Sequence, residues 1–233
     1  MAEKNVVLTV VNTETTVAEE LIETWARPED HVLAQARRSL SARYNVLAGR
    51  ACLRAILYHC SGVRSWTVVA DERGKISASS PAVEVAPAIS LSHSGQEIAC
   101  AAALVKKLGI DVERHRVRPY SAIAEYAFGA KERHAVAEGG EKAFYRLWTL
   151  REAFGKAMGD GLALAADGRD RFADGPPQGL WHQSLDGRVW LFGHYEAKSD
   201  LSTSIAAQLC DGDNPKDWTL SWLDPASLAE GFR

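Results

Sequence analysis

Two short segments place acids and a base where they could act together. In Gly109-Ile110-Asp111-Val112-Glu113 two carboxylates stand two residues apart, so on a strand they point to one face. Like charges that close repel unless a cation or a basic group sits between them. Oxygen ligands with no nearby Cys or His cluster suit Mg²⁺ or Mn²⁺ rather than zinc, although a strand end running into solvent would show the same two residues. In Trp148-Thr149-Leu150-Arg151-Glu152-Ala153-Phe154-Gly155-Lys156, Trp148, Glu152 and Lys156 are spaced by four and share one helix face. Glu152 lies about 200° round the helix from Leu150, so Glu152 and Lys156 are expected to look outward. They read either as an i,i+4 ion pair or as a metal ligand or base with a phosphate binder. Ser90-Leu91-Ser92-His93-Ser94-Gly95 reads as a tight turn between strands, with His93 a general base, a phosphate donor or a turn residue. A Ser/His/Asp hydrolase lacks its GxSxG elbow here, and no GxxxxGK[ST] phosphate loop or strand-linked GxGxxG is present.

These residues need elements to position them. Val6 to Val11 is a β-branched run that reads as a buried strand. Residues 29–60 read as helix, interrupted near Leu40 to Arg43, with Val46, Leu53, Leu57 and Cys60 as a core stripe and Arg43, Arg50 and Arg54 on a different, basic face. Trp66 to Ala70 reads as a strand, Asp71 to Lys75 as a turn pivoting on Gly74, and Ser77 to Pro87 as loop. Ala88 to Val112 reads as three strands in an antiparallel meander. Helical stretches follow at Ser121 to Ala127, Ala130 to Ala137 and Lys142 to Met158, the last with an apolar stripe of Leu147, Leu150, Phe154 and Met158, stopped by Gly159 and Gly161. The runs 187–198 and 202–210 look like a hairpin, and the tail from Asp211 has no clear pattern. A weak echo links the halves: each has a helix with a mid-positioned Arg and, downstream, a strand of the type IACAAAL or SIAAQL.

The composition fits an ordinary globular protein of one large or two small domains. At 233 residues, 46% hydrophobic and 24% charged, the chain can bury a core. A net charge of −3 argues against a protein whose whole surface grips nucleic acid. Cys52, Cys60, Cys100 and Cys210 form no CxxC pair and read as reduced, partly buried thiols. The first apolar run is too short for a signal peptide or a membrane span, so the expectation is a cytoplasmic protein with no membrane partner.

Taken together, the segments GRACLR, GK, SLSHSG, GIDVE and WTLREAFGKAMGDGL closely resemble the 4′-phosphopantetheinyl transferases of the larger, surfactin-synthetase-activating (Sfp) type, over roughly residues 43–162. The resemblance implies an α+β fold of two similar halves in one chain, related by a pseudo-twofold, with the coenzyme A (CoA) site in the cleft between them. The basic segment Arg114 to Ser121 then marks the junction, giving an N-terminal half 1–115 and a C-terminal half 116–233, with metal ligands drawn from both, and a monomer.

The implied activity moves the phosphopantetheine arm of CoA to a serine of an apo acyl or peptidyl carrier protein and releases adenosine 3′,5′-bisphosphate. By similarity, Asp111, Glu113 and Glu152 hold Mg²⁺, with Mn²⁺ possible. Glu152 also takes the serine proton, and Lys156 stabilises or protonates the departing phosphate. Ser92 and His93 bind a CoA phosphate, Arg50 grips the 3′-phosphate, and Lys75 contacts another phosphate. Glu132, in Phe128-Gly129-Ala130-Lys131-Glu132, is a supporting or carrier-facing candidate. Arg151 stands where many members have Lys, Ile76 where Pro is frequent, and only Arg37 and Arg38 are candidates for further basic contacts to the 3′-phosphate. Another Mg²⁺-dependent phosphate-transfer enzyme, or a catalytically silent module that binds CoA or a carrier protein, would use the same residues.

Overall fold

The computed structural model describes residues 4–159 and 167–230; Gly161 and the end of the GKAMGDGL motif lie outside them. The chain groups into two compact units, Met1–Val105 with Asp217–Arg233, and Lys106–Lys216. The sequence put its boundary near residue 115. The grouping instead counts the GIDVE strand with the second unit and the C-terminal segment with the first.

The first unit begins with strand β1 (Asn5–Asn12), followed by helices α1 (Thr16–Trp25), α2 (Pro28–Gln35) and α3 (Leu40–Ser61). Strands β2 (Thr67–Ala70) and β3 (Ile76–Ser79) form a separate hairpin, and β4 (Ala88–Ser94) and β5 (Glu97–Ala103) form another. β3 corrects the loop expected over 77–87; its strand is short and half exposed, so it carries little apolar pattern. The interruption before α3 falls at residues 36–39, where the Ser39 hydroxyl accepts the Ala42 N–H and caps the helix. Gly62, at φ +69°, ends it in the left-handed conformation that glycine adopts without strain. The buried side of α3, including Ala48, Ala51, Cys52, Ala55 and Ile56, packs with Ile98, Cys100 and Ala102 of β5 and Val7 and Val11 of β1.

The second unit runs β6 (Lys107–Arg114), α4 (Tyr120–Ala127), α5 (Ala130–Met158), β7 (Gly179–Leu185), β8 (Arg188–Lys198) and β9 (Leu201–Gln208). Its sheet order is β6-β9-β8-β7, every pair antiparallel. β6 therefore does not continue the β4–β5 hairpin as a meander: its partner is β9, about a hundred residues on. The two helical stretches expected over 130–158 are joined across a kink at Gly140 (φ +62°, ψ −143°). Leu147, Leu150 and Phe154 are buried as the stripe requires, and Met158 packs at its edge.

The tail without a clear pattern returns to the first unit. β10 (Thr219–Trp222) lies parallel to β1, completing the order β10-β1-β5-β4, and α6 (Pro225–Ala229) follows. The architecture is α+β. Each unit repeats a strand, then helices, then a hairpin whose last strand pairs antiparallel with the first: β1 with β5, and β6 with β9. Among the described residues no helix is long and apolar enough to cross a membrane.

Candidate active site

The site is built where α5 crosses β6 in the second unit. Gly109 makes the crossing close: a Cβ there would stand 1.9 Å from the Ala153 carbonyl oxygen and 2.7 Å from the Ala157 nitrogen. Strand alternation puts Asp111 and Glu113 on the same helix-facing side as Gly109. Asp111 is buried and Glu113 half-buried. Lys156, one turn beyond Glu152, donates from Nζ to Asp111 Oδ1 at 2.6 Å. Helical spacing alone offered Glu152 as the lysine's partner. A buried carboxylate on the crossing strand gains more from the ammonium than an i,i+4 neighbour does.

Glu152 belongs to this seam and does not simply look outward. Its Oε1 is buried and, among the described residues, has no hydrogen-bond partner. Burial pushes its carboxyl up to about 7, Asp111 and Glu113 add to the rise, and Lys156 pulls the other way. Three carboxylates on one strand–helix seam are thus brought within electrostatic reach of one another with a single lysine among them.

Beneath the carboxylates lies a polar layer that the sequence did not single out. Ser204 faces Asp111 across the β6–β9 ladder, and Ser202 faces Glu113. The Ser204 hydroxyl is 2.7 Å from Thr149 Oγ1 on α5 and 2.9 Å from His194 Nδ1 on β8. Ser202 pairs with His115 Nε2 at 2.8 Å, and the His115 ring stacks on Tyr145 at 4.1 Å. The alternating Ser-Thr-Ser of β9 was the one visible signal, and it had no meaning until its partner strand was known.

Glu132 and Arg151 form a second buried group. Both side chains are fully buried, and Arg151 donates to Glu132 Oε2 from Nε at 2.8 Å and also from Nη2. Glu132 Oε1 accepts the backbone N–H groups of Arg171 and Phe172 at 2.9 and 2.8 Å. Glu132 therefore ties the segment after residue 166 to α5 and presents nothing to a carrier protein. Its own N–H donates to Asp170, which caps the helix from a distance. The fork of Arg151 uses two donors on one carboxylate oxygen while reaching the Arg169 carbonyl, a geometry that lysine cannot reproduce.

The remaining predicted site residues lie in the first unit. The expected basic face of α3 is not a free cationic surface. Arg54 is buried and forks onto Asp30, with Glu29 at 3.6 Å. Arg50 is half-buried, donates to the Val68 carbonyl and stands 3.9 Å from Asp30. Asp30, 24 residues before Arg54, was not anticipated. Lys75 is exposed beside the Gly74 turn, where Asp71 accepts its backbone N–H. Ser92 and His93 are on β4 rather than in a turn. They point to opposite faces, Ser92 buried and His93 exposed. Asp111, Glu113 and Glu152 all belong to the second unit, where the sequence reading drew them from two halves.

Among the described residues, no three His, Cys, Asp or Glu side chains converge tightly enough to hold a metal ion as they stand. The donor chemistry nevertheless fits a hard divalent cation: all three groups are carboxylates, and the unpartnered Glu152 oxygen is one such an ion would satisfy.

Residues 107–220, which begin with β6 and include α5 and the whole carboxylate seam, match the model of the 4′-phosphopantetheinyl transferase superfamily. The chain is also 36% identical over 130 residues to the 4′-phosphopantetheinyl transferase HetI of Nostoc sp. (strain PCC 7120). That match takes in 52% of this chain and spans about half, 54%, of the relative's length. GIDVE on β6 and WTLREAFGK on α5 both lie inside the matched region, so residues 107–220 are identified as similar to the 4′-phosphopantetheinyl transferase superfamily.

Proposed function

We propose that the protein transfers the 4′-phosphopantetheine arm of CoA to a serine of an apo acyl or peptidyl carrier protein. The observation that carries this is the α5–β6 seam, where Asp111, Glu113, Glu152 and Lys156 meet inside the region that matches the superfamily. The serine Oγ forms a bond to the phosphorus bearing the pantetheine arm. The bond from that phosphorus to the bridging oxygen breaks, and adenosine 3′,5′-bisphosphate leaves.

Glu152, whose carboxyl also faces the cation position, accepts the serine proton at a carboxylate oxygen. Lys156 turns from Asp111 toward the leaving phosphate and compensates the charge that develops there. Asp111, Glu113 and Glu152 would hold Mg²⁺, with Mn²⁺ as the substitute, and that ion would neutralise pyrophosphate charge. In the first unit, Arg50 is assigned to the CoA 3′-phosphate, and His93, Ser92 and Lys75 to the other phosphates. Their support is the motif positions, together with the fixed guanidinium of Arg50. The reading takes the working form to be a monomer in the cytoplasm.

The test is to incubate the protein with Mg²⁺, CoA and a panel of apo carrier proteins and to follow intact carrier mass. Addition of one phosphopantetheinyl group, prevented by EDTA, is the expected result. CoA binding without mass gain on any carrier would favour a silent binding module. Phosphate transfer or hydrolysis without a carrier would favour a different enzyme on the same fold. Arg50→Ala should weaken CoA far more than 3′-dephospho-CoA, and an equal loss on both would remove Arg50 from the 3′-phosphate.

A further inference from the structure

The carboxylate seam carries its own cations. Lys156 lies on Asp111, and two arginines approach Glu113: Arg118 Nη2 is 3.7 Å and Arg116 Nη2 3.9 Å from Oε2. The two arginines are held differently. The Arg116 side chain is 65% exposed and that of Arg118 only 19%. The Arg118 guanidinium lies over the Tyr145 ring, 5.2 Å from its centroid. Tyr145 is itself fixed, stacked on His115, with its hydroxyl accepting the Arg116 N–H at 2.9 Å and donating to the Arg116 carbonyl at 3.1 Å. The segment leaving β6 is therefore fastened to α5, and Arg118 is laid beside Glu113 by that fastening.

We propose that Arg118 is a positioning residue that competes for Glu113 and thereby sets how tightly the Asp111–Glu113–Glu152 group takes a divalent cation. The inference rests on reading these three carboxylates as a cation site. Mg²⁺ bonds carboxylate oxygen at about 2.0–2.1 Å, so a guanidinium nitrogen at 3.7 Å from the same oxygen is a like charge beside the arriving ion. The cation must displace the guanidinium or tolerate it, and either lowers affinity. The same competition explains why the carboxylates do not converge on one another: each outer acid is drawn to a cation of the chain. Lys156 acts similarly on Asp111, but its removal would also disturb the leaving phosphate. Arg118 separates the two effects.

The test uses Mn²⁺ alone, without CoA, titrated into the full chain and followed by electron paramagnetic resonance of the free ion. Arg118→Gln should bind Mn²⁺ about tenfold tighter than wild type, about 1.4 kcal/mol. Arg118→Lys, which keeps the charge but loses the planar stack on Tyr145, should tighten it less. Asp111→Asn should abolish binding. The direction is diagnostic, because loosened packing around Tyr145 would weaken binding rather than strengthen it. Unchanged or weaker Mn²⁺ binding by folded Arg118→Gln, with Asp111→Asn still abolishing it, overturns the role of Arg118 and leaves the cation site standing. Absence of Mn²⁺ binding in both wild type and Arg118→Gln overturns both.

Discussion

Both units press one long helix onto an antiparallel strand pair through a glycine, but the glycine sits on opposite partners. In the first unit it is on the helix: a Cβ on Gly49 would meet only the end of the Leu91 side chain, at 2.5 Å. In the second it is on the strand, and a Cβ on Gly109 would meet the helix backbone itself. Both helices also anchor a mid-positioned arginine on a buried carboxylate, Arg54 on Asp30 and Arg151 on Glu132. The first strands then diverge. β1 gives Val7 and Val11 to an apolar core, whereas β6 turns Asp111 and Glu113 toward its helix. One frame thus serves twice. The side chains along the seam decide that the second unit holds acid–base groups where the first holds packing.

The largest expected effect is on chemistry. Glu152→Gln should lower carrier modification by about 10²–10⁴-fold while circular dichroism and thermal unfolding stay near wild type, since among the described residues the buried Glu152 Oε1 has no hydrogen-bond partner to lose. A variant with near-normal turnover would make the two seams equivalent and remove the catalytic reading.

The anchors come next. Removing one partner of a buried ion pair costs about 3–5 kcal/mol. Glu132→Gln and Asp30→Asn should both lose stability on that scale in urea titrations. Glu132→Gln should in addition expose the segment near Arg171 to protease, because its two backbone contacts to Glu132 weaken. Equal protease patterns in the two variants would deny Glu132 that added role.

The glycines give a smaller difference. Gly109→Ala forces backbone apart and should cost about 1–3 kcal/mol or more, with a lowered thermal midpoint. Gly49→Ala asks only a leucine side chain to move and should cost less. The reverse order would contradict the two modes of approach.

Acid separates the units as well. His194 in the second unit is buried, and its pKa is lowered from 6.5 to about 3 by burial, with Arg146 and His115 adding to the effect. The histidines of the first unit, His31, His59 and His93, are exposed. Because the folded value is depressed, the unfolded chain takes up a proton between pH 6.5 and about 3 that the folded chain refuses. The contribution is fully present above 6.5 and declines as pH falls, reaching a loss of about 2 kcal/mol by pH 5. His194→Gln should flatten this acid limb of stability against pH, and an unchanged slope would assign it elsewhere.

Much of the seam was legible because its signals are local. Alternation placed Asp111 and Glu113 on one face, and the apolar stripe placed α5. What was missed depends on distance along the chain. Lys156 had a plausible partner four residues away, but its real one is 45 residues back. Arg54 read as part of a surface row because nothing near it in sequence announces Asp30. The tight connection after β5 looks like a third meander strand, yet β6 pairs with β9, about a hundred residues on, which no local signal announces. β10 has only four residues and finds its order by lying along β1, so no periodicity could reveal it.

That last pairing also orders the chain in time. The second unit is one uninterrupted run, Lys106–Lys216, and all its strand partners have left the ribosome once residue 216 has emerged. The first unit must wait: β1 is synthesised before the whole of the second unit, but its β10 side stays open until residues 219–222 arrive. During synthesis β1 is therefore an unpaired edge, the kind of surface on which nascent chains aggregate. Emergence of residues 219–222 is what closes it.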